Sequence, residues 1–113
     1  MVVLLDQTDE TINQVFRALA DGTRRDILAR SLTETSSVAE LAVRYDMSYA
    51  AVQKHVAVLE RAGLVQKRAI GREQRVSTDH ARLQRAGELF DEFESIWRHR
   101  LAQLDDVLKP KGT

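Results

Sequence analysis

The chain has no cysteine among its 113 residues. Disulfides, thiolate zinc centres and cysteine nucleophiles are thereby excluded, and only His, Asp and Glu remain as metal ligands. It has a single proline, Pro110, almost at its end, so no proline interrupts the helical patterns that precede it. It has no net charge, 17 basic residues balancing 17 acidic ones, and no apolar run near the ~18 residues of a membrane span. The apolar opening Met1 to Leu5 is too short for a secretory signal and is soon followed by Asp6, Asp9 and Glu10, so a cytoplasmic, non-membrane protein is expected. There is also no glycine-rich phosphate loop and no nucleophile motif, and the carboxylates are dispersed over helical positions. An enzyme is not expected, and no cofactor is.

What is present is an uneven charge distribution. Residues 1–47 carry five Lys/Arg against eight Asp/Glu, residues 48–75 six against two, and residues 79–108 four against seven. A basic island lies between two acidic segments, and local rather than net charge governs docking on phosphates. The length fits one domain, residues 1–113.

Apolar spacing predicts a mainly α protein with one small β-hairpin. Ile12, Val15, Phe16 and Leu19 form an amphipathic stripe over 11–20, broken by Asp21-Gly22; Thr23 is then a candidate cap for a second helix, with Asp26 three residues on. Ser37 and Glu40 form a capping box for a third, which runs out near Tyr45. Ser48 can cap a fourth, with Met47 and Val52 as a hydrophobic staple, Val52, Val56 and Leu59 facing inward and Gly63 ending the helix. Two short helices joined by so short a turn make a helix-turn-helix. Leu64–Ala69 and Glu73–Ser77, flanking Gly71-Arg72, predict a hairpin with basic edges, the wing. From 80 to 108, Leu83, Ala86, Phe90, Phe93, Trp97, Leu101, Leu104 and Leu108 recur every three or four residues, a near-heptad seam that needs a partner surface.

Phe16-Arg17-Ala18-Leu19-Ala20-Asp21-Gly22-Thr23-Arg24-Arg25-Asp26-Ile27-Leu28, together with Ser48 through Val52-Gln53-Lys54-His55-Val56 to Leu59 and Ala62-Gly63-Leu64-Val65, resembles the ArsR-type family of winged helix-turn-helix repressors over about Val15 to Leu108. The resemblance implies four helices, a wing hairpin and a fifth helix, and it implies repression of transcription. One departure is Gly22, where the family commonly has proline; a looser helix start is expected from it. The family's metal sensors usually carry cysteines in the helix before the recognition helix, whereas here that helix reads Leu41-Ala42-Val43-Arg44.

A recognition helix reads base edges with the residues of its first turns. The candidates here are Ser48, Tyr49, Ala50, Gln53, Lys54 and His55, the last favoured as a phosphate contact over a packed side chain. On the hairpin, Lys67, Arg68, Arg72 and Arg75 can reach the minor groove or backbone, or serve only as solubilising edges. Of Arg24 and Arg25, one is expected in a salt bridge to Asp21 or Glu40 and the other near phosphate, Arg24 being the candidate DNA contact. Val15, Phe16, Phe90, Phe93, Trp97, Leu101 and Leu104 are the candidate homodimer contacts, with 11–20 and 80–108 as dimerisation helices. Asp91, Glu94, His99 and Asp105 lack the spacing of a metal site and read as a solvated face. The expected partners are thus a roughly palindromic double-stranded operator and a second copy of the chain, and no residue pattern names an effector. Two alternatives stay open: a metal- or small-molecule-sensing repressor on the same fold, and a helical protein-interaction module that binds no DNA.

Overall fold

A computed structural model describes residues 7–108. The apolar opening Met1 to Leu5 and Pro110 lie outside the described residues. The elements run α1 (Gln7–Leu19), α2 (Gly22–Ser31), β1 (Ser36–Ser37), α3 (Val38–Tyr45), α4 (Tyr49–Arg61), β2 (Gln66–Ile70), β3 (Glu73–Ser77) and α5 (His80–Leu108). The four helices, wing and long last helix expected from the apolar spacing are present. None of the described helices is long and apolar enough to cross a membrane.

Short-range chemistry sets most of the helix boundaries. At α3 the Ser37 hydroxyl accepts from the Glu40 N–H at 3.0 Å and the Glu40 carboxylate accepts from the Ser37 N–H at 2.7 Å, the reciprocal capping box expected from the sequence. These N–H donors hold the Glu40 carboxyl below its usual range, because the backbone of Ser37 hydrogen-bonds its charged form. Asp46 takes the left-handed conformation, φ 53°, that turns the chain from α3 towards α4. Ser48 caps α4 through its hydroxyl, which accepts from the Ala51 N–H at 3.1 Å. Gly63, φ 77°, closes the other end in a Schellman turn: its N–H donates to the Glu60 carbonyl at 2.9 Å, and the Leu64 N–H donates to the Leu59 carbonyl at 3.0 Å.

Three details differ from expectation. The first helix begins at Gln7, four residues before the apolar stripe starts. The second is capped by Asp21 rather than Thr23. The Asp21 carboxylate accepts from the Arg24 N–H at 3.0 Å, which lowers its pKa, and Gly22 becomes the first helical residue. Leu64 and Val65, expected in the first hairpin strand, instead enter the core at 1% and 2% exposure, and the strand starts at Gln66.

The wing is part of a three-stranded antiparallel sheet in the order β1-β3-β2. Strand β3 pairs with β2 from Gln66↔Ser77 to Ile70↔Glu73 around the turn at Gly71 (φ 63°), and with β1 at Ser36↔Val76 and Ser37↔Arg75. Only the β2–β3 hairpin was legible beforehand; two residues of β1 carry too little pattern to be seen.

The core is one cluster that includes Val15, Ile27, Val38, Leu41, Val52, Val56, Leu59, Leu64 and Val76. Val15 is therefore a correction. Placed on the dimer surface from its spacing, it is 1% exposed within the protomer and has no face left for a second chain. Helices α2 and α3 are tied by a polar contact as well: the Tyr45 hydroxyl donates to Asp26, which also receives Arg30 Nε at 2.9 Å. The Tyr45 bond first, and Arg30 after it, hold the Asp26 carboxyl low, while burial and the carboxylate push the Tyr45 phenol up.

Helix α5 docks by its first half only. Ala86 is buried, Leu89 and Phe90 are partly so, and Phe16 of α1 meets Phe90 and Phe93 edge to face at 5.2 and 5.1 Å between centroids. From Asp91 to Leu108 every residue is exposed, and the molecule extends 69 × 26 × 26 Å.

Gly22 offers a direct test of local backbone chemistry. It is the first residue of α2, and Asp21 before it is extended at φ −109° and ψ 133°, the conformation a following proline demands. Gly22→Pro is expected to raise stability by about 0.4–1 kcal/mol through the unfolded chain's lost freedom. Denaturant titration checks this; a lower midpoint at unchanged slope would refute it.

Candidate nucleic-acid interface

The inner face of α4 decides what its outer face presents. Val52, Val56 and Leu59 are all at 0% exposure. This leaves Ser48, Tyr49, Ala50 and Lys54 outside, on the N-terminal turns. Lys54 makes no hydrogen bond or ion pair among the described residues, and Tyr49 is 47% exposed. Gln53 is half-buried, and its carbonyl oxygen accepts from Lys67 Nζ at 3.1 Å. That bond links α4 to the wing. It occupies one acceptor site of Gln53 and leaves the amide N–H groups free to donate. Lys67 therefore supports the α4–wing geometry; it is not a free cation.

The two wing arginines expected at the tip are available. Arg68 and Arg72 are exposed and unpaired among the described residues. Arg75 is not. Its guanidinium donates to the Thr35 carbonyl at 2.9 Å and to the Thr35 hydroxyl at 3.0 and 3.1 Å, and it pairs with Glu73 at 2.9 Å and Glu40 at 3.5 Å. The reason is the short strand β1, which brings Thr35 and the α3 cap alongside β3. Arg75, expected at DNA, ties the wing to the body instead.

Arg24 is a second correction. Its guanidinium donates to the Ala18 carbonyl at 2.8 Å and the Arg17 carbonyl at 3.0 Å, and Nη1 lies 3.2 Å from His55 Nδ1. Arg25 donates to the Leu19 carbonyl at 2.7 Å. Together the two arginines satisfy three carbonyls at the C-terminus of α1, where a helix end leaves acceptors without partners and favours cations. Neither makes the expected bridge to Glu40, which faces Arg75. His55, with its side chain 20% exposed, also lies 3.9 Å from the Asp21 carboxylate. An arginine only donates, so Nδ1 is the acceptor in this contact. His55 is thus the packed side chain of the two alternatives, joining α4 to the start of α2.

The surface left for a polyanion consists of Ser48, Tyr49, Ala50 and Lys54 on α4, the amide of Gln53 beside them, and Arg68 and Arg72 on the wing. Sequence reasoning missed the residues that fix this surface: Thr35, which anchors Arg75, and Tyr45 with Asp26, which lock α3 to α2. The Thr35–Arg75 contact spans 40 residues and leaves no local signal. Among the described residues no three His, Asp or Glu side chains are grouped to hold a metal ion.

No protein-family model matches the chain, and no curated protein matches it. Solved structures do. An ArsR-like transcriptional regulator from Rhodococcus sp. RHA1 is 31% identical, with 92% of this chain and 98% of that one covered at a TM-score of 0.70. A second ArsR family transcriptional regulator is 30% identical, with 83% and 97% covered at 0.68. A homodimeric winged helix-turn-helix DNA-binding domain from Mycobacterium bovis, a possible ArsR-family regulator, shares the fold at 22% identity, with 96% and 94% covered and a TM-score of 0.59.

The different environments of the wing arginines predict different consequences of losing them. Arg75→Ala should lower stability by about 1–2 kcal/mol, since it removes charge-assisted bonds from a side chain only 23% exposed. Arg72→Ala should change stability by no more than about 0.5 kcal/mol. Paired urea melts decide between them, and equal losses would mean that Arg75 is not a structural tie.

Proposed function

Because this chain belongs to the ArsR family of transcriptional regulators, we propose that it is a homodimeric repressor or autorepressor, one winged helix-turn-helix domain per protomer, that blocks transcription by occupying a palindromic operator. The observation that carries this reading is the conjunction of α4's exposed N-terminal face with two wing arginines that have no partner among the described residues. In a DNA complex the first turns of α4 enter the major groove, and the wing tip lies over the flanking minor groove. Lys54 meets guanine or phosphate. Gln53, its carbonyl engaged by Lys67, donates from its amide to a base-edge acceptor. Arg68 and Arg72 meet backbone phosphates and the negative potential of the narrow groove.

The second copy of the chain follows from α5. Phe93, Ile96, Trp97, Leu101 and Leu104 are 40–53% exposed, and only Phe93, at the base of the arm, has a ring contact with another described element, through Phe16 of α1. So wide an apolar stripe on a helix in water calls for cover. A second α5, packed with Phe16 and Phe90 at the α1–α5 junction, supplies it symmetrically. Helices 11–20 and 80–108 are the dimerisation helices in this arrangement. Two recognition helices are then set about 34 Å apart, one turn of duplex.

Two outcomes test the reading. Phe93→Asp should yield monomers and weak DNA binding together; a wild-type chain that sediments as a monomer at micromolar concentration would contradict the dimer. Titrations on cognate and scrambled duplexes at several salt concentrations test the DNA surface. Gln53→Ala should weaken the cognate duplex by about 1–3 kcal/mol and relax one position per half-site. Arg72→Ala should weaken both duplexes evenly and flatten the salt dependence. Should Gln53→Ala weaken both equally, or Arg72→Ala leave the salt slope unchanged, those roles are misassigned.

A further inference from the structure

We propose that the cleft between the end of α4, the first wing strand and the α5 flank is an effector site for a small organic carboxylate. The cleft has a volume of about 360 Å³, the lower end of the range for small-molecule sites. Three guanidiniums line it, those of Arg61, Arg82 and Arg85, against a single carboxylate, Glu60. Glu60 is already engaged, accepting from the Lys67 N–H at 3.3 Å.

The donors are in want of an acceptor. Arg61 and Arg85 make no hydrogen bond or ion pair among the described residues. Arg82 reaches Gln66 at 3.4 Å and Asp79 at 3.8 Å, both long for a guanidinium, and its Nε is buried with no hydrogen-bond partner among the described residues. A buried cationic N–H without an acceptor is costly, and a carboxylate is the group that matches a guanidinium's paired donors. At the end of α4 the Leu59 and Glu60 carbonyls accept from Leu64 and Gly63, and the three guanidiniums offset the negative end of that helix. The rest of the lining includes Val65, Ala86 and Leu89, which suits a carboxylate with a compact apolar body.

The position of the cleft makes occupancy consequential. Arg61 ends the recognition helix, Gln66 begins the wing, and Arg82 and Arg85 stand on α5 beside the apolar seam. A carboxylate bridging these guanidiniums would bind differently to different settings of α4 relative to α5, and only such a differential moves a conformational equilibrium. This regulatory half rests on the DNA-binding reading above; the binding half does not.

Benzoate and its neutral isostere benzamide are the probes, titrated into the full chain while its amide resonances are followed. Benzoate is expected to shift Gly63, Val65 and Ala86, and benzamide to leave them in place. Arg82→Gln and Arg85→Gln should each weaken benzoate at least about tenfold, whereas Arg44→Gln, at an exposed position of α3 away from the cleft, should not. Arg85 is exposed and unpaired, so its variant should keep the wild-type melting temperature. Equal binding of benzamide, undiminished benzoate binding in both cleft variants, or no shift at these amides overturns the site. In duplex titrations benzoate should alter operator affinity of the wild type but not of Arg85→Gln. An unaltered affinity with the site occupied removes the regulatory half, whereas a chain that binds benzoate but no duplex contradicts the proposed function and leaves the site standing.

Discussion

The burial of one stripe of α4 is the constraint from which the other features follow. Val52, Val56 and Leu59 are fully enclosed, and every other element of the body contributes to the enclosure: Val15 and Ala18 from α1, Ile27 from α2, Val38 and Leu41 from α3, Val76 from the sheet. A helix with one face so held cannot roll about its axis without exposing apolar area. The outward positions of its first turns are fixed by the same packing that stabilises the fold. The Schellman turn at Gly63 extends the constraint to the wing, because Leu64 and Val65 are drawn into that core immediately before β2 begins.

Polar contacts then distribute the cations between two tasks. Arg24 and Arg25 close the carbonyl end of α1, Arg75 straps the wing to β1 and α3, and Lys67 joins the wing to Gln53. Each of these positive charges is spent within the protomer. Lys54, Arg61, Arg68 and Arg72 are left facing solvent. The basic island of residues 48–75 is therefore not a uniformly positive surface: part of it rigidifies the platform, and the remainder is presented by that platform. A rigid presentation matters for reading DNA, since side chains held on packed elements meet base edges and phosphates at lower entropic cost than mobile ones.

Helix α5 has two characters. Its start belongs to the body, held by Ala86, Leu89 and the Phe16–Phe90–Phe93 group, and beyond Phe93 its residues are all exposed. The cleft with its three guanidiniums lies against the docked part, next to where the free part begins. The docked part rests on α1, through Phe16, and runs in one continuous helix into the apolar seam.

Local features of the sequence determined the helices, their caps and the hairpin. The capping box of Ser37 and Glu40, the Ser48 cap, the Gly63 stop, the Gly71-Arg72 turn and the start of α5 at His80 all rest on contacts within a few residues, for which spacing and residue type are sufficient. The family signature was legible for the same reason. Tertiary structure alone decided which charged and apolar side chains were free. Val15 shares the α1 stripe with Phe16, yet one is sealed in the core and the other meets α5. Arg75 looks like Arg72 in the sequence, but Thr35, brought alongside by β1 from 40 residues away, claims it. His55 and Arg24 meet across 31 residues. A cation's choice between a carbonyl and the solvent depends on what another element places within 3 Å of it, and hydrogen bonds of that reach depend on the assembled fold, not on neighbours along the chain.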